Sequence, residues 1–75
     1  MSNTTALSNV KTGQTATVQS LNGGYGFRSR LASLGFTPGA QVTMLQNRGR
    51  GPLLVALRGT RIALGRGEAQ KILVE

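Results

Sequence analysis

Side chains able to do acid–base, nucleophilic or metal chemistry are almost absent from this sequence. It has no His and no Cys, and its only side-chain carboxylates are Glu68 and Glu75, against nine Lys and Arg. Without His, the commonest general base, proton shuttle and transition-metal ligand is missing. Without Cys there is no thiolate nucleophile, thiolate zinc site or disulfide, which fits a reducing compartment. Two carboxylates can in principle flank a sugar or share a metal, but Glu75 is the last residue, where fraying works against fixed geometry. The expectation is a protein that is not an enzyme, holds no cofactor and no tight metal, and works by binding a partner.

The cations are Arg28, Arg30, Arg48, Arg50, Arg58, Arg61 and Arg66 with Lys11 and Lys71, and the formal charge is +7. Guanidinium forks match carboxylate and phosphate geometry, so an acidic protein surface, a nucleic acid and an anionic membrane surface all qualify as partners. Charges scattered singly over loops also serve solubility alone. Arg28 and Arg30 fall in the first turns of an expected helix, where positive charge opposes the dipole at a cost of about 0.3–1 kcal/mol each. No acidic residue is near them in the sequence, so their placement points to an external anion. Gly23-Gly24-Tyr25-Gly26 lacks the spacing of the phosphate-cradling glycine motifs and is taken as a turn. The remaining Arg residues sit in hairpin loops and at strand ends, where nucleic-acid backbones can be met. Nucleic-acid barrels add aromatic stacking platforms, however. The aromatics here are Tyr25, Phe27 and Phe36, and the two Phe are placed to pack a helix. Nucleic acid is therefore disfavoured, and Tyr25 is either a contact residue or a lid over one end of the barrel.

The elements that must position these residues are short. Residues 1–5 are polar and patternless and are expected to be disordered, with one domain over 6–75. They contain no basic residue ahead of an apolar run, and the longest apolar stretch, Leu53 to Leu57, cannot span a bilayer, so the protein is expected to be cytoplasmic and not membrane-inserted. Leu7 and Val10 form an anchored turn. Alternation then predicts a first strand from Thr15 to Leu21, carrying Ala16 and Val18 inward. Phe27, Leu31 and Leu34 at i, i+4 and i+7 predict a short helix. Gly35 at its end, with Leu31 and Phe36 flanking, has the pattern of a Schellman termination, and Thr37-Pro38-Gly39-Ala40 that of a type II turn. Further strands are expected at Gln41–Gln46, Leu53–Leu57, 61–65 and Ile72–Val74, with Gly59-Thr60 as a type II′ hairpin connection and a tight turn over 65–70. The expected core comprises Ala16, Val18, Leu31, Leu34, Phe36, Val42, Met44, Val55, Leu57, Ile62, Leu64, Ile72 and Val74. Leu45, Leu54 and Leu73 lie on the opposite phase of their strands, exposed as a contact patch or brought inside by bulges. The result is a mainly β fold, a five-stranded barrel with one short α-helix between strands 1 and 2.

From Leu7 to Val74 the order of elements resembles the FeoA family, small cytosolic proteins with an SH3-like barrel that accompany the ferrous-iron membrane transporter FeoB. The resemblance is carried by Leu7 and Gly13, by Arg30-Leu31-Ala32-Ser33-Leu34-Gly35-Phe36-Thr37-Pro38-Gly39, by Gly51-Pro52-Leu53, and by Gly59-Thr60-Arg61-Ile62-Ala63-Leu64. Similar Leu-Gly-x-x-Pro-Gly segments occur in the C-terminal SH3-like domains of iron-dependent repressors, but the DNA-binding helices and metal ligands of those proteins have no counterpart here. The resemblance implies an accessory protein of ferrous iron transport that docks on the cytosolic part of an FeoB-like transporter. Partner contacts are expected at Tyr25, Phe27, Arg28 and Arg30, with Arg48 and Arg50 secondary. Ferrous iron favours His and carboxylates, so no tight iron site is expected. The alternatives are a small basic nucleic-acid-binding barrel, a free-standing relative of the repressor domain, and a self-assembling scaffold. Salt dependence separates the first from a protein dock with an apolar centre.

Overall fold

Alternating apolar residues in short runs between glycine-rich turns give strands with one buried face. The computed structural model describes residues 3–75 and contains β1 (Thr5–Ala6), a 3₁₀ turn (Leu7–Asn9), β2 (Thr15–Leu21), α1 (Tyr25–Leu34), β3 (Gln41–Gln46), β4 (Leu53–Leu57), β5 (Thr60–Leu64), α2 (Arg66–Ala69) and β6 (Ile72–Val74). All strand pairs are antiparallel and form one sheet in the order β1-β6-β2-β3-β4-β5. Register shifts between Val18 and Ser20 and between Met44 and Gln46 mark bulges, which bend the sheet around its interior. Sixteen apolar residues make the core, and Leu7, Val18, Leu31, Phe36, Met44, Val55, Ala69 and Ile72 have no exposed surface.

Six strands form where five were expected. The added one is β1, in which Thr5 opposes Val74 and Ala6 opposes Leu73. Thr5 therefore belongs to the sheet, and Met1 and Ser2 lie outside the described residues. A two-residue strand leaves no periodicity in sequence; it forms because Leu7 and Val10 are buried and hold the chain beside β6. At the other end Glu75 exchanges backbone hydrogen bonds with Thr17, at 2.8 and 2.9 Å, so its backbone is fixed rather than frayed.

Leu31, Gly35 and Phe36 behave as their sequence demands. Gly35 has φ 109°, its N–H donates to the Ala32 carbonyl, and the Phe36 N–H donates to the Leu31 carbonyl, each at 3.0 Å. These are the two bonds of a Schellman motif. Gly39 has φ 91° and the Ala40 N–H donates to the Thr37 carbonyl, the geometry of a type II turn. Leu34, however, is 46% exposed. The left-handed turn at Gly35 folds the chain back, and Phe36 rather than Leu34 fills the interior beside Leu31.

The hairpin between β4 and β5 also differs. Leu57 opposes Thr60, so the connection is Arg58-Gly59, with φ 51° and 79°. Two positive φ angles define a type I′ turn, which matches the twist of the flanking strands. Arg58 is thereby the one non-glycine residue with positive φ among the described residues, a conformation that costs an L-residue about 1–2 kcal/mol. Ile62 is half-buried, as are Leu54 and Leu73, and Leu45 stays 36% exposed. The turn expected over 65–70 contains a four-residue helix, α2, with Ala69 in the core.

Candidate functional site

Helix α1 starts at Tyr25 behind Gly24 and has no side-chain cap and no acidic residue in its first turn. Its first two turns carry four of the six expected contact residues, and the structure divides them between opposite sides of the helix. Phe27 and Arg30 face the protein. The Phe27 ring lies against Gly23, where an added Cβ would come within 2.7 Å of the ring. Lys71 Nζ stands 5.4 Å from the ring centroid and Arg30 Cζ 6.0 Å, both within cation–π range. Arg30 also ion-pairs with Glu68. That carboxylate is 38 positions away in sequence and accepts a second bond from the Gly65 N–H at 3.1 Å. The Arg30 bond and the Gly65 N–H hold the Glu68 carboxyl below the usual carboxylate range. Arg30 therefore has its anion within the chain, contrary to the sequence expectation, because folding brings α2 alongside α1.

Tyr25 and Arg28 face outward. Tyr25 is 80% exposed, the largest value among the big apolar side chains. Arg28 is exposed and unpaired, since the one ion pair among the described residues is Arg30–Glu68. Both line a shallow groove of about 450 Å³ between α1 and the far end of β2, together with Leu21, Ala32, Phe36 and Pro38. No carboxylate lines it. A second concavity, on the outer face of β2, β3 and β4, is walled by Thr15, Gln41, Thr43 and Arg58 and offers little apolar surface.

Arg48 and Arg50 lie on a separate loop. That loop is anchored by Asn47, whose side-chain amide donates to the Ser8 and Val10 carbonyls at 3.0 and 2.8 Å, while its carbonyl oxygen accepts from the Gly49 N–H and from Arg66. No hydrogen bond or ion pair links the loop to α1. Asn47 and Arg66 are structural residues that local sequence does not announce, because every long-range partner lies at least 19 positions away. Arg66 is half-buried and committed to Asn47, and Arg58 reaches Thr37 Oγ1 at 3.4 Å. Arg48, Arg50 and Arg61 remain exposed and outside the ion pair.

The donor set does not fit a resident iron ion. Among the described residues no three His, Cys, Asp or Glu side chains cluster, and Glu68 is already engaged by Arg30 and Gly65. No helix among the described residues is long and apolar enough to cross a membrane.

Residues 5–75 match the model of the FeoA domain. A candidate Fe(2+) transport protein A from Methanocaldococcus jannaschii is 37% identical over 65 residues, 87% of this chain and 78% of that protein. Among solved structures, an iron uptake regulatory protein, FeoA, superposes with a TM-score of 0.89 at 33% identity, covering 96% of each chain. FeoA of Stenotrophomonas maltophilia in complex with zinc, described as a prokaryotic SH3 domain protein and a candidate ferrous iron transport activating factor, superposes with a TM-score of 0.84 at 33% identity, over 93% of this chain and 88% of that one.

Proposed function

Because the chain belongs to the FeoA family and shares its SH3-like, mainly β fold, we propose that it is a cytosolic accessory protein of ferrous iron transport that docks on the cytosolic part of an FeoB-like membrane transporter. Iron is the transporter's cargo in this reading, and the chain contributes no chemistry and no resident metal site.

The observation that carries the reading is the outward side of α1. A residue as large as Tyr25 standing 80% exposed beside an unpaired Arg28, over a groove with an apolar floor, is the composition of an interface centre with a charged rim. Arg would steer the encounter and the apolar floor would set the lifetime of the complex. A single exposed aromatic offers no row of stacking platforms, which argues against single-stranded nucleic acid.

The test is ferrous iron uptake in cells carrying the transporter, with and without this chain. Uptake falls when the chain is deleted and recovers when it is supplied, and the purified chain binds the transporter's cytosolic region in calorimetry. Unchanged uptake together with no binding would overturn the proposal. Ferrous iron titrated into the purified chain alone gives no stoichiometric submicromolar site; finding one would remove the cargo-only assignment.

A further inference from the structure

The groove beside α1 has one feature that exposure and charge do not explain, an unfinished sheet edge. β3 pairs with β2 only from Thr15 to Thr17, and the turn residues Gly39 and Ala40 continue that side as far as Val18. From Gln19 to Leu21, β2 has a strand neighbour on the β6 side alone. Ser20 and Leu21 then form one bank of the groove, and Tyr25, Arg28 and Ala32 form the other. An open edge along one bank of a groove is a template for an extended chain, because such a chain supplies the missing backbone hydrogen bonds and places alternate side chains into the groove.

Charge selects among extended chains. Arg28 is the only charged residue in the lining, and no carboxylate lies there to neutralise it. The chain's two Glu side chains are elsewhere: Glu68 is tied to Arg30, and Glu75 follows β6 on the far side of β2, paired through its backbone with Thr17. With a formal charge of +7, the whole molecule attracts anions and repels basic segments. Leu21, Ala32 and Pro38 are small or medium apolar surfaces, suited to an aliphatic side chain and too narrow a set for aromatic stacking.

We infer that the groove between α1 and the far end of β2 captures an extended acidic segment of the partner, added alongside Ser20 and Leu21, with an aliphatic side chain on the apolar floor and a carboxylate on Arg28. This deepens the docking reading and rests on it for the partner's identity, but the chemistry of the groove is testable without the transporter.

The experiment is an amide NMR titration of the full chain with two peptides, one alternating Leu and Glu and one alternating Leu and Lys. The Leu/Glu peptide shifts the amides of Ser20, Leu21, Tyr25, Arg28 and Thr37, and the Leu/Lys peptide does not. Arg28→Glu weakens Leu/Glu binding by about tenfold, the size expected for one charge-assisted hydrogen bond, and narrows the preference over Leu/Lys. Equal response to both peptides, no response to either, or shifts centred on Arg48 and Arg50 would overturn the inference. A parallel calorimetric titration with the transporter's cytosolic region separates the two levels. If the wild-type chain and Arg28→Glu bind it equally, the groove assignment fails while the docking reading stands; if the wild-type chain does not bind it, the docking reading fails whatever the peptides do.

Discussion

The two sides of helix α1 carry the same residue types and do opposite things. Inward, one aromatic and one arginine, Phe27 and Arg30, are engaged by Gly23, Lys71 and Glu68. Outward, one aromatic and one arginine, Tyr25 and Arg28, meet solvent over a groove. An aromatic beside an arginine is thus no signature of a docking site on its own. What separates the two pairs is whether the fold supplies the anion and the packing surface. For the inward pair it supplies both, through α2 and the 22–24 loop; for the outward pair it supplies neither, and that side stays exposed.

The contrast breaks first at the helix end that orients both sides. Phe36 has no exposed surface, and Phe36→Ala is expected to cost about 3–5 kcal/mol in chemical denaturation, enough to threaten a domain of this size. Gly35→Ala comes next. Its φ of 109° is unfavourable for any side chain, and the new Cβ would lie 3.3 Å from Leu57 Cδ2, so a loss of about 1–2 kcal/mol is expected, together with a tilt of α1 that disturbs both sides at once. If either variant kept full stability, α1 would not be held by its C-terminal turn.

How much of this was legible in the sequence follows from the range of each interaction. The Leu31–Ala40 segment encodes its own geometry, since the helix end and the type II turn depend on residues within six positions of one another, and each appears where the pattern places it. The strands Thr15–Leu21 and Gln41–Gln46 follow from alternation, and Leu53–Leu57 and Ile72–Val74 from short apolar runs next to turns. The exposed, unpaired state of Arg28 is legible locally, because an unfavourable charge near a helix start with no acid nearby has no neighbour to meet. The internal anion of Arg30 cannot be read locally, because Glu68 is 38 positions away and comes near only in the folded chain. Asn47 was invisible for the same reason: nothing about an Asn after a strand says that it will tie the Leu7–Asn9 turn, the 48–52 loop and α2 together. The hairpin turn falls at Arg58-Gly59, one residue before the Gly-first position that local preference favours, because the register of β4 against β5 decides where the turn lies.

A smaller effect tests the inward tie. The ion pair joins side chains that are 58% and 31% exposed, so Glu68→Gln is expected to cost under about 1 kcal/mol. Its pH signature is more specific. Because the folded-state carboxyl titrates below its unfolded value, the tie contributes fully above the unfolded pKa of about 4.3 and is lost as pH falls through the folded value. The wild-type chain therefore shows a downward acid limb below about pH 4 that Glu68→Gln flattens. Equal acid limbs in the two proteins would mean that Glu68 and Arg30 are as solvated as any surface pair.

The smallest effect on stability is the most telling, because its sign is opposite. Arg28 lies in the first turns of α1, where the helix has no acidic residue and no side-chain cap to balance the positive end of its dipole. Arg28→Glu replaces an unfavourable charge with a favourable one and removes no hydrogen bond or ion pair, so stability should rise by about 0.3–1 kcal/mol at low salt and by less as salt screens the dipole. A residue kept for the fold would lose stability on charge reversal; a residue kept for a partner gains stability and loses binding. The same reversal at Arg30, two residues further along the helix, removes the ion pair and sets two carboxylates against each other, so it lowers stability. Denaturation midpoints of the two reversals, measured side by side at low and high salt, therefore report which side of α1 the fold uses, and midpoints that fell together would place Arg28 inside the structure rather than at its contact surface.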